Sequence, residues 1–293
     1  MLLIVGEPIV AYQRDVTDDA AAAFSGPWPS GSPAICAYVA ARLGLATTFV
    51  GAVGADRHGE VMREGLRSAG VDVSHLAIRA DEPTAWARIT YRGGERTFEF
   101  HVDDSAATTV TSADLGELPE RARWLHLSGS ALIFGGTLPD AAFEALERAR
   151  RSGARVSVDP NVRPESLAPE LLERLRAAIR AADVVLPSAG ELGALGIETA
   201  ELTAAGAVVC VTDSKNGATV HAPGHPDVRV PVEPVAAVDT DGAGDSFAAG
   251  FIAAAADDGD PVTAARFGAQ VAAAAIAEHG PMTATFQGLQ AVR

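Results

Sequence analysis

The chain has 293 residues, enough for one large α/β domain with a small appendage or for two domains. Its 38 acidic residues outnumber 23 basic ones, and the net charge of −15 would repel a nucleic-acid backbone or an anionic membrane, so both are excluded as partners. A hydrophobic content of 48% with 29 glycines and only 5% aromatics suits a compact α/β core of Ala, Val and Leu.

The opening run Leu2-Leu3-Ile4-Val5-Gly6 reads as a buried strand. No basic segment precedes it and Glu7 follows it, so the start is a strand rather than a signal peptide. A dinucleotide-binding turn would need Gly-x-Gly-x-x-Gly here, but the chain gives Gly6-Glu7-Pro8 and no further glycine until Gly26, which disfavours a dehydrogenase. Ser32 as N-cap, Pro33 at the first helical position and Gly44 past the end define a helix of about three turns. Thr47 to Gly54 is a strand, and Asp56 caps a helix that ends at Gly70. Between Thr84 and Val102 the period changes to two, and runs 84–91 and 96–102 flank a Gly-Gly turn as a β-hairpin. With residues 9–24 the hairpin is assigned to a small lid, on which Trp86, Arg88 and His101 either reach a substrate or are solvated and packing residues of the lid strands. Residues 26–29 and 224–227 are linker-like but too short to divide the chain.

From residue 124, strands at 125–129, 155–159, 184–187 and 207–212 alternate with helices near 139–151, 168–182 and 189–195, the pattern of a parallel sheet covered on both faces. Active sites in such sheets lie at the strand C-termini. Polar groups stand at three of these ends: Asp159 to Arg163, Ser188 with Glu191, and Thr212 to Gly217. Lys215 is the only lysine and is followed by Asn216, so there is no P-loop and a nucleotide must be held another way. The Ala-rich segment 261–278 is a helix that backs this region. Cys36 and Cys210 lie in apolar runs without a second Cys or His at ligand spacing and read as buried reduced thiols, which fits a cytoplasmic protein. No apolar run approaches the roughly 18 residues that a membrane span needs.

The most informative stretch runs from Val238 to Phe247. Gly242, Ala243 and Gly244 let the backbone turn sharply and let an anion approach main-chain N–H groups that no side chain shields. The apolar helix that follows aims its unpaired N–H donors and the positive end of its dipole at the same place. Asp245 then sets a carboxylate at the lip of this cradle, a poor phosphate ligand but a good acceptor for the proton of an attacking hydroxyl. The combination suits phosphoryl transfer. A bare Gly-x-Gly-Asp is equally a tight turn with an acid at a helix start.

The longer string, Asp-Thr-x-Gly-Ala-Gly-Asp followed by Ser-Phe-x-x-Gly-Phe, resembles the C-terminal signature of the ribokinase-like, or PfkB, carbohydrate kinases. Gly6-Glu7-Pro8 looks like the 2-keto-3-deoxygluconate kinases, and Asp159-x-Asn161-x-Arg163 is similar to that branch and to the fructokinases. The resemblance implies one α/β domain over 1–293, with a mostly parallel central sheet, helices on both faces and the β lid of 9–24 and 84–102. It implies an ATP-dependent sugar kinase in which Asp245 accepts the proton of a primary hydroxyl and Gly242, Ala243 and Gly244 form the anion hole. ATP would lie along Ser188, Thr212, Ser214, Gly217, Gly242 and Gly244, with Mg2+ held through Glu191 and a potassium ion at Asp239. The sugar would meet Ser30, Gly31, Ile35, Arg88 and Arg163. At an ordinary carboxylate pKa of about 4, Asp245 would orient the hydroxyl and take the proton late. Three polar positions of the pattern are lost: Ala11 replaces an Asp that holds a sugar hydroxyl, and Ile35 and Ser188 each replace an Asn. The implied acceptor is a ketose or sugar acid such as fructose or 2-keto-3-deoxygluconate. A nucleoside kinase and a kinase-like binding protein with little turnover are the alternatives, and lid sheets of this kind imply a homodimer.

Overall fold

The computed structural model describes residues 1–14, 23–92, 95–161, 168–257 and 259–289. In chain order the strands are β1 (Leu2–Val5), β2 (Ile9–Arg14), β3 (Phe24–Ser30), β4 (Thr47–Gly54), β5 (Leu76–Arg79), β6 (Trp86–Arg92) and β7 (Glu95–His101). They continue as β8 (Trp124–Ser128), β9 (Arg155–Asp159), β10 (Val184–Val185), β11 (Val208–Thr212), β12 (Ala218–His221) and β13 (Val228–Val230). Among the described residues, nine of them form one sheet in the order β13-β12-β11-β10-β9-β8-β1-β4-β5. All pairs from β11 to β5 are parallel, and β12 and β13 close one edge as antiparallel strands.

Period-two alternation divides the apolar strand residues between two cores. Leu2, Ile4, Val184 and Cys210 face a core built with the helices Ser32–Arg42, Arg57–Ala69, Ala243–Ala255 and Pro261–Ala275. Leu3, Val5, Val185 and Val209 face the opposite core with Leu138–Arg151 and Pro169–Ala181. Helix Ala243–Ala255 buries ten of its residues, because Pro261–Ala275 packs so closely that a Cβ on Gly250 would fall 2.9 Å from the Cα of Gly268. That helix stops at Ala275, three residues short of the expected end. Both cysteines are free and buried, and no described helix is long and apolar enough to cross a membrane.

The strand order reverses beside β1, whose neighbours are β4 on one side and β8 on the other. The crevice at such a switch point is where an open α/β sheet holds its ligands. Over it stands a separate four-stranded sheet, β3-β2-β6-β7, containing the expected hairpin. Residues 26–29 are not a linker: they belong to β3, and Pro27 and Pro29 confine that strand to the sheet's edge because neither can donate to a ladder. Asp56 caps its helix by accepting from the Gly59 N–H at 2.8 Å, and its other oxygen takes the N–H of Thr84 at 2.8 Å, fastening the start of β6 to the main body.

Candidate active site

Helix Ala243–Ala255 begins behind Gly242, which sits in the left-handed region at φ 75°. A Cβ there would lie 2.9 Å from Cγ2 of Ile35, so both the dihedral and the packing require glycine. The first intrahelical bond runs from Ser246 N–H to the Gly242 carbonyl at 2.9 Å, which leaves the Gly244 N–H ahead of the ladder. Above Gly244 the space is open, since a Cβ built on it would meet only Oδ2 of Asp159, at 3.9 Å. The turn forms the floor of a cavity of about 580 Å³ between the sheet's C-terminal ends and the lid.

Asp245 faces this cavity. The hydroxyl of Ser32 donates to its Oδ1, so Ser32 is not the N-cap expected from sequence; Gly31, at φ 99°, takes that place. Burial raises the Asp245 carboxyl to a pKa of about 7, with the Ser32 hydroxyl pulling it down and Asp241 adding to the rise. That corrects the expectation of about 4: the residue is a stronger base than an ordinary aspartate and remains ionised at slightly alkaline pH. Ser32 also contacts Ser128 Oγ at 3.0 Å, and Ser128 contacts Ser130 Oγ at 2.8 Å. Glu7, 1% exposed at the end of β1, is raised by burial to about 8, an effect that the Ser130 hydroxyl opposes. Burial, then Glu191 and Asp245, also pushes Asp159 well above the carboxylate range.

Ser30, Gly31 and Ile35 line the cavity together with Gly242, Ala243, Gly244, Asp245, Ser188 and Glu191. Glu191 accepts from the Ser188 N–H at 2.7 Å. Thr212, Ser214 and Gly217 lie outside the cavity wall, next to Ser188 through the Ser188–Thr212 bridge. Gly217 is required by the Val230 carbonyl, which a Cβ would approach to 2.1 Å, and Asp213 turns to accept from Asn216. Asp239 is buried and takes the N–H groups of Asp241 at 2.9 Å and Gly280 at 3.1 Å, the turn-forming role of such a side chain.

Arg88 corrects the sequence reading. On β6 it is Ala87 and Ile89 that line the cavity, so alternation sends Arg88 to the other face of the lid. There it pairs with Glu99 at 3.3 Å and lies over the ring of Phe24, while Trp86 stacks on His101 with centroids 3.8 Å apart. Arg163 lies outside the described residues. Sequence reasoning missed Glu7, Ser32, Ser128 and Ser130, and the apolar wall made by Phe98 and Phe100 of the lid with Phe134 of the main body. An acid directly after a fully buried strand was the one available signal for Glu7. Among the described residues the cavity wall carries five carboxyl groups, Glu7, Asp159, Glu191, Asp241 and Asp245, and no Lys, Arg or His. No group of three or more His, Cys, Asp or Glu among those residues is arranged to hold a metal ion.

A model of the pfkB family carbohydrate kinases matches residues 28–286. The chain belongs to that family. It is an ATP-dependent sugar kinase by this membership, and the fold and crevice agree with it. The chain is 36% identical to a fructokinase of Salmonella typhimurium over 244 residues, covering 80% of this chain and 78% of the relative. It superposes with a TM-score of 0.89 on a protein of E. coli called ribokinase II, in complex with ATP and Mg2+, at 29% identity over 97% and 95% of the two chains. A fructokinase double mutant from Vibrio cholerae O395, in fructose, ADP and potassium ion bound form, gives 0.86 at 28% identity over 97% and 94%.

Proposed function

We infer that this family member phosphorylates a primary hydroxyl of a small ketose such as fructose, with Asp245 as the base and the Gly242–Gly244 turn as the anion hole. The observation that carries the reading is Asp245 itself: a carboxyl with a pKa of about 7, at the start of a helix, on the floor of the crevice, beside an open space over Gly244. A base is most effective when its pKa lies near the working pH. Ser32 orients one carboxylate oxygen, which leaves the other for the incoming hydroxyl. The proton moves from that hydroxyl to Asp245 while the N–H groups of the turn face the charge that develops on the phosphoryl oxygens.

The donor set also fits the expected cofactors. The cavity wall is acidic and carries no described cation, so it would repel a bare polyphosphate; a divalent ion would answer this, and Glu191 would hold it as Mg2+. When bound, it supplies neutralisation of phosphate charge. Ser188, Thr212, Ser214 and Gly217 form the adjoining shelf for the nucleotide. Asp239 keeps lone pairs for a potassium ion beside the same turn.

A second reading has its own support. The lid side of the cavity is made of Ile9, Ile89, Phe98 and Phe100, with Phe134 of the main body beside them, and Ala11 offers no polar group, so an acceptor with a flat apolar substituent, such as a nucleoside, also fits. Acceptor-dependent ADP release from a panel of ketoses, sugar acids and nucleosides separates the two. Release with fructose supports the first reading, release with nucleosides alone supports the second, and no acceptor-dependent release rejects both.

A further inference from the structure

Trp28 has no part in the mechanism above, yet it joins the lid to the segment that holds the phosphate turn. It stands on β3 opposite Ala11, and residues opposite each other in a sheet share a face, so its indole hangs from the cavity side of the lid. Trp28 lies outside the cavity wall and reaches instead the segment that follows helix Pro261–Ala275. There the ring meets His279 edge-on, with centroids 5.5 Å apart, and covers Gly280 so closely that a Cβ on that glycine would fall 3.2 Å from Cε3 of the indole. The orientation of the ring is fixed: its Nε1 donates to Ser25 Oγ at 3.1 Å, and that hydroxyl donates to the Gln13 carbonyl at 3.0 Å. The same segment is clasped to the phosphate turn from its other side. The Gly280 N–H goes to Oδ2 of buried Asp239 at 3.1 Å, and Oδ1 of that carboxylate takes the N–H of Asp241, the residue before Gly242, at 2.9 Å. Pro281 Cβ lies 3.4 Å from where a Cβ on Gly242 would stand. The hydroxyl of Thr283, 3.0 Å from the His279 carbonyl and 2.8 Å from that of Gly280, closes the segment into a tight turn.

We propose that Trp28 is a positioning residue for phosphotransfer: with the lid down its indole presses on Gly280, and through Asp239 and Pro281 that contact keeps the main-chain N–H groups of Gly242–Gly244 turned toward the transferring phosphoryl group. Acceptor and nucleotide then assist one another. The acceptor seats the lid by filling the space under Ile9 and Ile89, and the seated lid sets the turn. A nucleotide phosphate resting on the turn sets Gly280 and so holds the lid. A coupling of this kind is reciprocal, and each ligand tightens the other by the same factor. Because Trp28 is not in the cavity wall, its loss removes the coupling and leaves each separate affinity in place.

The inference rests on the kinase reading and is tested on the full-length enzyme by calorimetry. The ligands are the panel acceptor that releases ADP fastest, fructose on the first reading, and the Mg2+ complex of β,γ-imido-ATP, a nucleotide that is not consumed. In the wild type each should tighten the other about fivefold or more. In Trp28→Ala that factor should fall below about twofold and kcat should drop about tenfold or more, while each Kd measured alone stays within about threefold of wild type. Trp28→Phe keeps a ring over Gly280 and should recover most of the coupling and of the kcat. Indole emission gives a second readout. Trp86 lies on the opposite face of the lid and Trp124 in the main sheet, so the emission change produced by the imido nucleotide alone should come from Trp28 and vanish in Trp28→Phe. Wild-type coupling in Trp28→Ala overturns the proposal. Should that variant not fold, an imido nucleotide that leaves the wild-type emission unchanged overturns it. Absence of any acceptor-dependent ADP release in the wild type would instead remove the kinase reading beneath it.

Discussion

The Cγ2 atom of Ile35 lies 2.9 Å from where a Cβ on Gly242 would stand. The position that resembles a sugar-binding asparagine in relatives is here a buried side chain that packs against the phosphate turn. Gly242→Ala therefore meets two penalties. The left-handed backbone at φ 75° costs a residue with a Cβ about 1–2 kcal/mol, and the methyl must displace Ile35. Its melting temperature and its kcat should both fall. Gly244→Ala meets nothing closer than 3.9 Å and should melt like the wild type, while its methyl fills the cradle and lowers kcat by tenfold or more. Paired melting and turnover curves check this, and equal turnover in Gly244→Ala would mean that no phosphate rests there.

Ser32→Ala removes the hydroxyl that lowers the pKa of Asp245. The carboxyl should then titrate above its present value of about 7, so the acid limb of the kcat profile should move to higher pH. A hydrogen bond to a charged group contributes about 1.5–3 kcal/mol, and about 1.4 kcal/mol corresponds to one pH unit. A limb displaced upward by about one pH unit or more is expected. A limb that stays in place or moves to lower pH would contradict the role given to Ser32.

Glu7 also predicts a dependence of stability on pH. Its folded-state pKa is raised from 4.5 to about 8, so the folded protein binds more protons than the unfolded chain between those values. Its contribution is fully present below about pH 4.5 and is lost as pH rises toward 8. The full span, at about 1.4 kcal/mol per pH unit, is on the order of 5 kcal/mol. Denaturant unfolding should give a stability that declines from pH 5 to pH 8.5, and the decline should be smaller in Glu7→Gln. Equal slopes in the two proteins would place the titration elsewhere.

Asp56 joins two bodies. Its carboxylate caps helix Arg57–Ala69 through the Gly59 N–H and holds both the N–H and, at 2.7 Å, the hydroxyl of Thr84. Asp56→Ala should cost about 1–2 kcal/mol as a lost cap. The start of β6 is released at the same time, so the KM for the acceptor should rise more than that for ATP. Thermal melts and initial rates test the two effects separately.

The parts of this architecture that depend on neighbours in sequence were legible. Tiny residues before an apolar run located the turn at Gly242–Gly244, and alternation located the hairpin and the buried strands. What crosses the fold was not. Ser32 and Asp245 are 213 positions apart, and nothing near Ser32 distinguishes a hydroxyl that caps its own helix from one that serves another. Alternation groups Trp86, Arg88 and Thr90 on one face of β6 but is silent on which face looks into the crevice, and Arg88 was assigned to the wrong one. Residues 26–29 are linker-like in sequence, yet they lie within β3, because an edge strand tolerates the same glycine and prolines. Glu7 was passed over because its neutral form is set by burial that only the assembled sheet, lid and Asp245 supply.

The central claim is that Asp245 takes the proton of the alcohol that attacks. Asp245→Asn keeps the size and the contact with Ser32 but has no basic oxygen to offer at neutral pH. With the best acceptor at pH 7.5, kcat should drop by about 10²–10⁴-fold. ATP affinity, measured by calorimetry, should stay within threefold, because the turn that receives phosphate is main chain. An Asp245→Asn enzyme that turns over at the wild-type rate would contradict the account.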